Sequence, residues 1–305
     1  MYKEKVEKMY KSSQARVFVA RELLFLEVGD RIAPMLQWTE KYKISIGTLQ
    51  KAFIDLEKEG MIKSQRKGVL GSYVVEIDNN RLLKESHLGY LIGVMPLPYS
   101  KRYEGLATGI KKSFQNKSVE FHFAHMSGSQ VRIEQLRKNV FDFAVISKLA
   151  FNLLSKKYSD IEVALELGES SYVSKHVLLK APKVKKIKTL GIDKNSDDQR
   201  YLTEEYFSSK DYEWIDIDYN ETINLLKNKT VDGIIGNLDE INEKGINLEY
   251  EELKDSKALR IANEGIIVIR KGDGTLKKII EKTIDVDYIR KIQNEVMNNH
   301  IPPTY

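Results

Sequence analysis

Cysteine is absent from the 305 residues of the chain. Its absence excludes disulfide bonds, thiolate-bound zinc and a cysteine nucleophile. No apolar stretch approaches the roughly 18 consecutive residues that a membrane-spanning helix needs. The sequence that follows Met1 is charged and lacks the apolar core typical of a secretory signal. We therefore expect a cytoplasmic protein with no membrane partner.

Histidine and recognisable catalytic motifs are also scarce. The chain has five histidines, and His122 and His125 would point to opposite faces of one strand, which disfavours a shared zinc ion. The stretch that begins at Asp193 resembles a calcium-binding loop, but Asp198 stands where the sharp turn of that loop needs glycine. No Gly-x-Ser-x-Gly motif indicates a serine nucleophile. We expect no metal site, no cofactor and no catalytic residues.

The composition itself is that of an ordinary globular protein. Hydrophobic residues make up 42% of the sequence and charged residues 30%, which provides enough apolar material for a packed core. A length of 305 residues favours two or more domains. The formal net charge of +5 permits an anionic partner but indicates one only where cations cluster.

The sequence pattern changes twice along the chain. Residues 1–78 are patterned as helices followed by one short hairpin. Residues 79–88 are polar and carry an Asn-Asn pair, which is typical of a linker. Residues 89–305 alternate short apolar strands with helical segments. The sequence therefore predicts an N-terminal helical domain, a linker and a larger α/β domain.

The N-terminal domain ends with an amphipathic helix and a basic hairpin. Ser45 is a suitable N-cap for this helix, and Gly60 is placed to end it. The apolar residues recur every three or four positions and form the stripe Leu49, Ala52, Phe53 and Leu56. A strand pair follows around Gln65–Gly68. The predicted order is helix, helix, turn, helix and two-stranded wing.

This order is typical of a winged helix that binds DNA. A short turn sets the second and third helices at a steep angle, so the third presents its N-terminal face to a major groove. The wing supplies cations for phosphates or the minor groove. The predicted DNA-binding residues are Ser45, Ile46, Thr48, Gln50 and Lys51 on the helix and Lys63, Gln65, Arg66 and Lys67 on the wing. The alternative is a helical domain with a solvated hairpin.

The stretch ISIGTLQKAFIDLEKEGMIKSQRKGVLGSYV resembles the winged-helix domain of GntR-type bacterial transcription regulators. Residues 29–34 similarly match the turn that this family places before its second helix. The resemblance implies binding to double-stranded DNA. Family members usually carry arginines where Leu36, Ile46 and Gln50 stand here. The departure implies a weaker or different operator preference, with Gln50, Lys51 and the wing bearing more of the binding.

The second domain places polar residues where predicted strands end. Strands and helices alternate from Leu88 to Ser147, which favours a parallel sheet whose ligands gather at the carboxyl ends of the strands. The pattern restarts after about residue 175. The predicted ligand-binding residues, in loops or just after strands, are Tyr99, Ser100, Arg102, Ser127, Gly128, Ser129, Ser147, Ser196, Asp197 and Asn237.

Two ligand chemistries remain open for this domain. Ser196–Gln199 fits a capping box, and a helix that starts there would offer free N–H groups to a carboxylate or phosphate. Asp197 and Asp198 oppose an anion and could instead receive an amine or a hydroxyl group. For each candidate residue, helix capping or loop solvation is the alternative interpretation.

The second half is similar in plan to type 2 periplasmic binding proteins and to the effector domains of LysR-type regulators. The resemblance rests on FDFAVIS, TLGIDKNSDDQ, ETINLLKNKTVDGIIGN and EGIIVIRKGD in that order. Together with the first half, the chain resembles the YhfZ-type regulator family. The resemblance implies a bilobal α/β domain, a ligand cleft between its lobes, and hinges near Glu169–Lys175 and near Asn237.

We therefore expect a bacterial transcription regulator that binds operator DNA and senses a small polar or anionic molecule. A homodimer is expected because a single winged helix reads only a short half-site. The alternative is an enzyme that acts on a small molecule in the cleft, with the winged helix as an interaction module. A solute-binding protein that serves a transporter is disfavoured because no export signal is visible.

Overall fold

The computed structural model is a mixed α/β protein. It describes residues 10–115, 119–193, 195–207 and 212–305. The predicted succession of a helical domain and a larger α/β domain is confirmed. Within the described ranges, no helix has both the length and the apolar character needed to cross a membrane.

The described residues form two compact units. One lies within Met1–Leu91 and Asn116–Phe121, and the other lies within Ile92–Gln115 and His122–Tyr305.

The first unit contains the helices α1 (Lys11–Leu23), α2 (Met35–Tyr42) and α3 (Ile46–Lys58), which form a helix-turn-helix. As predicted, Ser45 caps α3, because its Oγ accepts the N–H of Thr48. The apolar stripe of α3 is buried, and both α1 and α2 pack against this helix. The helix-turn-helix is therefore held by one shared core.

The wing is an antiparallel pair of strands, β1 (Ile62–Arg66) and β2 (Ser72–Ile77). A short 3-10 turn at Gly68–Leu70 joins the two strands. Gly68 and Gly71 have φ angles of 55° and 92°, a region that glycine enters without strain. The predicted hairpin is confirmed, with these two glycines making its turn.

The stretch predicted as a linker contains a helix, α4 (Asn79–Glu85). Asp78 caps this helix by accepting the N–H groups of the first turn. The helix packs against α1, and its Leu82 and Leu83 are buried. The polar composition and the Asn-Asn pair predicted a linker. Burial of Leu82 and Leu83 against α1 instead stabilises a helix at this point.

Arg16 on α1 fastens three helices together. Its guanidinium donates to the carboxylate of Glu59, which follows α3, at 2.7 and 2.9 Å. It also donates to Glu85 at the end of α4 at 2.8 Å. These hydrogen bonds, that with Glu59 first, raise the pKa of Arg16. The cation therefore remains charged and ties α3 and α4 to α1.

The second unit contains two five-stranded sheets, each the centre of one lobe. The elements of lobe one are β3 (Tyr90–Met95), α5 (Lys101–Phe114), β4 (Glu120–His125), α6 (Ser129–Arg137), β5 (Phe143–Ser147), α7 (Lys148–Lys157), β6 (Ile161–Gly168), β12 (Gly265–Arg270), α12 (Gly274–Thr283) and α13 (Val286–Met297). Its sheet has the order β4-β3-β5-β12-β6, with β3 parallel to β5 and β12 antiparallel to β5 and β6.

Lobe two lies between the parts of lobe one in the chain. Its elements are β7 (His176–Lys180), β8 (Thr189–Asp193), α8 (Asp197–Tyr206), β9 (Glu213–Ile217), α9 (Thr222–Lys227), β10 (Gly233–Asn237), α10 (Leu238–Glu243), β11 (Glu249–Glu252) and α11 (Lys257–Ala262). Its sheet has the order β11-β7-β10-β8-β9, and β10, β8 and β9 are parallel. The carboxyl ends of these three strands therefore meet at one edge.

The chain passes from one lobe to the other twice. The first passage covers residues 169–175, and the second covers residues 263–265. The two segments are hydrogen-bonded to each other: the N–H of Tyr172 donates to the carbonyl oxygen of Asn263 at 3.1 Å. The hinge therefore consists of two adjacent segments.

The predicted second hinge near Asn237 is wrong. Asn237 ends β10, and its Oδ1 caps the next helix, α10, by accepting the N–H of Asp239. Ile241 of α10 belongs to the same buried core as Val177 and Ile234 of lobe two. A strand end resembles a hinge in the sequence, but here the chain stays in its lobe.

Two glycines bring α5 and α13 of lobe one close together. A Cβ on Gly105 would lie 2.8 Å from the Cα of Gln293, and one on Gly109 would lie 3.1 Å from the Cα of Ile289. Glycine at these two positions therefore allows the two helices to pack closely.

Candidate functional site

The outward face of α3 carries the residues predicted to face DNA. Ile46, Gln50 and Lys51 are exposed, and Thr48 is partly exposed. Residues four apart on a helix share a face, so Ile46 and Gln50 lie together, beside the buried stripe. Ser45 is bonded to Thr48, with 2.7 Å between the two hydroxyl oxygens. The predicted helix residues thus form one continuous surface at the start of α3.

The wing carries exposed cations beside this helix. Gln65, Arg66 and Lys67 are exposed, and the Nζ of Lys67 lies 4.7 Å from the centre of the Tyr73 ring. Arg31 also lies along the wing, because a Cβ on Gly71 would be 3.1 Å from its Nε. Sequence pattern alone does not connect Arg31 with the wing, because Arg31 lies outside the hairpin and pairs with Tyr73 of β2 through a single bridge.

Lys63 differs from the other wing cations. Its Nζ lies 2.9 Å from Glu76 across the strand pair, and this hydrogen bond raises the pKa of Lys63. The ion pair is exposed and therefore weak, but it compensates the lysine charge locally. Lys63 is consequently a poorer candidate for a phosphate contact than Arg66 or Lys67.

A narrow cavity of about 70 Å³ lies between the two lobes of the second unit. One water molecule takes about 10–15 Å³ on the same measure, so the cavity admits only a small group unless the lobes part. Six residues of the predicted ligand set line it: Tyr99, Ser127, Gly128, Ser129, Ser196 and Asn237.

Four predicted ligand residues lie outside the cavity lining. Ser100 caps α5 by accepting the N–H of Tyr103. The other three form hydrogen bonds between the lobes: Arg102 to Asp239 at 2.9 Å, Ser147 to Asp198 at 2.7 Å and Ser129 to Asp197 at 3.4 Å. These contacts hold the two lobes together, and they use side chains that were predicted to bind a ligand.

The predicted capping box at Ser196–Gln199 is wrong. Ser196 does precede α8, but its Oγ donates to Asp198 Oδ1 at 2.7 Å. The Oε1 of Gln199 accepts the N–H of Asp193 at 2.6 Å. The Ser-x-x-Gln pattern therefore connects the helix start to β8 and to a buried carboxylate.

The cavity wall contains a buried arginine with a free donor. Arg132 on α6 is 3% exposed and donates to the carbonyl oxygen of Met126 at 2.8 Å and to the hydroxyl of Tyr172 at 3.0 Å. Both partners are neutral, and within the described residues its Nε has no partner. The Nδ2 of Asn237, 5% exposed, likewise has none there. Buried donors without acceptors cost free energy, which a ligand acceptor would recover.

Acidic and aromatic groups form the rest of the wall. Burial raises the pKa of the Asp193 carboxyl, and burial raises the pKa of Tyr172 to about 12. Burial lowers the pKa of His176, whose Nδ1 lies 2.8 Å from Asn263 Oδ1. Because the tyrosine and the histidine are neutral near pH 7, the charges that face the cavity are Arg132 and the aspartates.

Three of the additional lining residues lacked a sequence signal. Arg132 lies within a helix, and Tyr172 and His176 belong to the hinge and to a strand start. None of these positions follows a strand, which was the criterion used for the cleft. Asp193 does end β8, so the same criterion could have found it.

Gly128 lies at a close approach of the two lobes. This residue has a φ of 79° and precedes α6 of lobe one. A Cβ there would lie 2.8 Å from both the Cβ and the carbonyl oxygen of Asn195 in lobe two. Only glycine therefore fits at this point when the cleft is closed.

Family comparisons cover nearly the whole chain. Residues 78–305 match the YhfZ C-terminal domain, and residues 27–74 match a helix-turn-helix domain. "Uncharacterized protein YhfZ" from Escherichia coli (strain K12) is 33% identical over 290 residues, which is 94% of this chain and 95% of that protein. The crystal structure of YhfZ from Shigella flexneri is 31% identical, with a TM-score of 0.63 over 75% of this chain and 98% of that one.

Solute-binding proteins share the bilobal fold. The amino acid ABC transporter substrate-binding protein AbpA from Streptococcus pneumoniae, solved with L-arginine, is 15% identical, with a TM-score of 0.52 over 69% of this chain and 94% of its own. An arginine-specific periplasmic binding protein from Salmonella typhimurium is 16% identical, with a TM-score of 0.51 over 68% and 98%. At such identities the likeness establishes the fold alone.

Replacing Gly128 should hold the lobes apart. In Gly128→Ala the new methyl meets Asn195, so we expect a longer mean distance between the lobes. The cysteine-free chain allows spin labels to be attached after Glu281→Cys in lobe one and Lys227→Cys in lobe two, both exposed positions. Pulsed electron double resonance then measures the distance between the two labels.

Gly272→Ala is the matched control for this experiment. Gly272 has a φ of 85°, so alanine is strained there as at Gly128, but nothing lies within 4 Å of its Cβ position. Identical distance distributions in the two variants would show that the Asn195 contact does not limit closure.

Stability should depend on pH through Asp193. Because the folded protein raises the pKa of Asp193, the stability that this carboxyl group contributes is fully present below an ordinary aspartate pKa of about 3.9. This stability is lost as the pH rises through the folded pKa. Asp193→Asn removes this loss and still allows an oxygen to accept the N–H of Asn195. We expect its gain in Tm over the original chain to be larger near pH 7 than near pH 4, by calorimetry.

Asp160→Asn provides a control of opposite sign. The hydrogen bond from Arg137, 2.8 Å long, lowers the pKa of Asp160. This carboxylate stabilises the fold above its ordinary pKa, so its removal should cost more near pH 7 than near pH 4. Equal pH profiles for the two variants would contradict both assignments.

Proposed function

Because the chain belongs to the YhfZ family, we propose that it is a transcription regulator that binds operator DNA and senses a small polar molecule. One observation carries the proposal. A helix-turn-helix unit with an exposed, partly cationic surface is joined to a unit with the fold of solute-binding proteins. In one chain, the first unit is suited to contacting DNA and the second to binding a metabolite.

We assign to the first unit a winged helix of the GntR type that binds DNA. The start of α3 offers an exposed face for the major groove, and Arg66 and Lys67 stand on the wing for phosphates. A homodimer would present two winged helices and so contact two half-sites. The proposed DNA-binding form is therefore a homodimer acting in the cytoplasm.

The effector is proposed to bind between the lobes. Its acceptor group would receive the free donors of Arg132 and Asn237, and a donor group would face the carboxyl of Asp193. The arginine ligands of the two solute-binding proteins combine groups of both kinds, which supports a ligand of mixed character here. The cleft is assigned binding, with no turnover.

Signalling requires that the effector prefer one state of the cleft. A ligand that binds the closed lobes more tightly than the open lobes shifts the population towards closure, by no more than that difference in affinity. Closure is proposed to change the spacing or orientation of the two winged helices of the dimer. This change would alter the affinity for the operator.

The wing should contribute measurable phosphate contacts. Fluorescence anisotropy would follow the chain binding to duplex DNA from upstream of its own gene and to a scrambled duplex, across a salt series. We expect preference for the upstream duplex and a steep loss of affinity with salt. Arg66→Ala/Lys67→Ala should reduce the slope of log K against log salt by about two, because each phosphate contact contributes about 0.9.

Lys63→Ala is the matched control on the same wing. Its ammonium is paired with Glu76, so its removal should change the salt slope far less than loss of Arg66 and Lys67. Equal slopes in all three proteins would remove the wing from the interface. No preference between upstream and scrambled duplex would overturn the regulator.

Closure of the cleft should be coupled to DNA affinity. Gly128→Ala obstructs closure, so its affinity for the upstream duplex should differ from that of the original chain by about fivefold or more, the usual lower range of allosteric coupling. Gly272→Ala should bind as the original chain does. Anisotropy titrations without added effector would measure both, and equal affinities would separate the cleft from DNA binding.

A further inference from the structure

We propose that the start of α3 reads A·T base pairs, with Ile46 against a thymine methyl group and Gln50 on adenine. The inference rests on the proposed function, because it names the bases that the DNA-binding surface selects. It follows from two exposed side chains on α3 that the packing of the first unit does not use.

An exposed apolar side chain lies at the end of α3 that is proposed to contact DNA. Ile46 is the first residue of α3 and is 50% exposed, although the same helix buries Leu49 and Leu56 completely. Exposed isoleucine gains nothing from the core. On a surface that docks into a groove, its methyl groups can instead be removed from water on binding.

The position of Ile46 is fixed by the cap that precedes it. The Oγ of Ser45 lies 2.7 Å from the Oγ1 of Thr48 and accepts the Thr48 N–H, so the first turn of α3 is held at both ends. The N-terminal residues of a recognition helix are those that reach base edges. Ile46 is therefore presented by a rigid turn.

Gln50 stands one turn further along the same face. It is exposed, and its amide presents a donating NH2 group beside an accepting carbonyl oxygen. Adenine presents the complementary pair in the major groove, N7 as acceptor and N6 as donor, while thymine presents its methyl group. Guanine is read by arginine or lysine, and neither Ile46 nor Gln50 supplies such a group.

Exposed cations lie near this face of α3 and on the wing. Lys43 and Lys51 are exposed near the helix start, and Arg66 and Lys67 are exposed on the wing. Phosphate contacts of this kind supply affinity that is independent of sequence. In this proposal the cations, Lys51 of α3 included, contact phosphates, so base preference falls to the apolar and amide side chains of α3.

The test begins with selection of bound sequences from a random duplex library by the full chain. We expect enrichment of a motif whose half-site centre is A·T. Each thymine of that motif is then replaced by uracil, which removes one methyl group. At the thymine that Ile46 contacts, affinity should fall about fourfold, the effect of exposing one buried methyl group.

Variants on the same face connect the effect to the residues. Ile46→Ala should bind the thymine and uracil duplexes equally, and Gln50→Ala should lose preference for adenine. Ile54→Ala is the matched apolar control, because Ile54 is 41% exposed but lies two turns further from the helix start. It should keep the full sensitivity to uracil.

The outcomes separate the two proposals. A motif centred on G·C, or thymines that accept uracil without loss, would overturn A·T reading and leave the regulator intact. A library that shows no enrichment would overturn the regulator itself. Uracil sensitivity that survives in Ile46→Ala would assign the methyl contact to another residue and refute the role of Ile46.

Discussion

The closed form of the larger unit depends on one buried carboxylate. Asp198 stands at the start of α8 in lobe two and accepts the hydroxyl of Ser147, at the end of β5 in lobe one, at 2.7 Å. Ser196 and the N–H of Gln199 satisfy its other oxygen. A buried carboxylate is tolerable only with such donors. Separation of the lobes exposes Asp198 and Ser147 to water, which can replace the bond between them, so the two states can lie close in free energy.

Local rules predicted the local elements of the fold. The cap at Ser45 and the end of α3 at Gly60 each depend on a residue and its near neighbours, and both are present. The cleft depends on partners far apart in the chain. Arg132 reaches the cavity from inside a helix, and no local pattern distinguishes it from a surface arginine. Residues at strand ends therefore make up only part of the cavity lining.

Two structural features that local composition does not show have a common physical cause. Lys63 lies in a stretch without acidic residues, but strand pairing places Glu76 directly opposite it. Residues 79–85 have a polar composition, but Leu82 and Leu83 find a surface on α1 and become helical. In each instance the deciding neighbour comes from another element, and burial or charge pairing outweighs local composition.

The order of the lobes along the chain has a consequence for biosynthesis. Lobe two is continuous in sequence, whereas lobe one needs β12, the fourth strand of its five-stranded sheet, and α13, which packs on α5. These elements are translated after lobe two. On the ribosome, lobe two can fold while the sheet of lobe one still lacks a strand between β5 and β6. The half-made lobe therefore presents unpaired strand edges to chaperones until residues 265–297 have emerged.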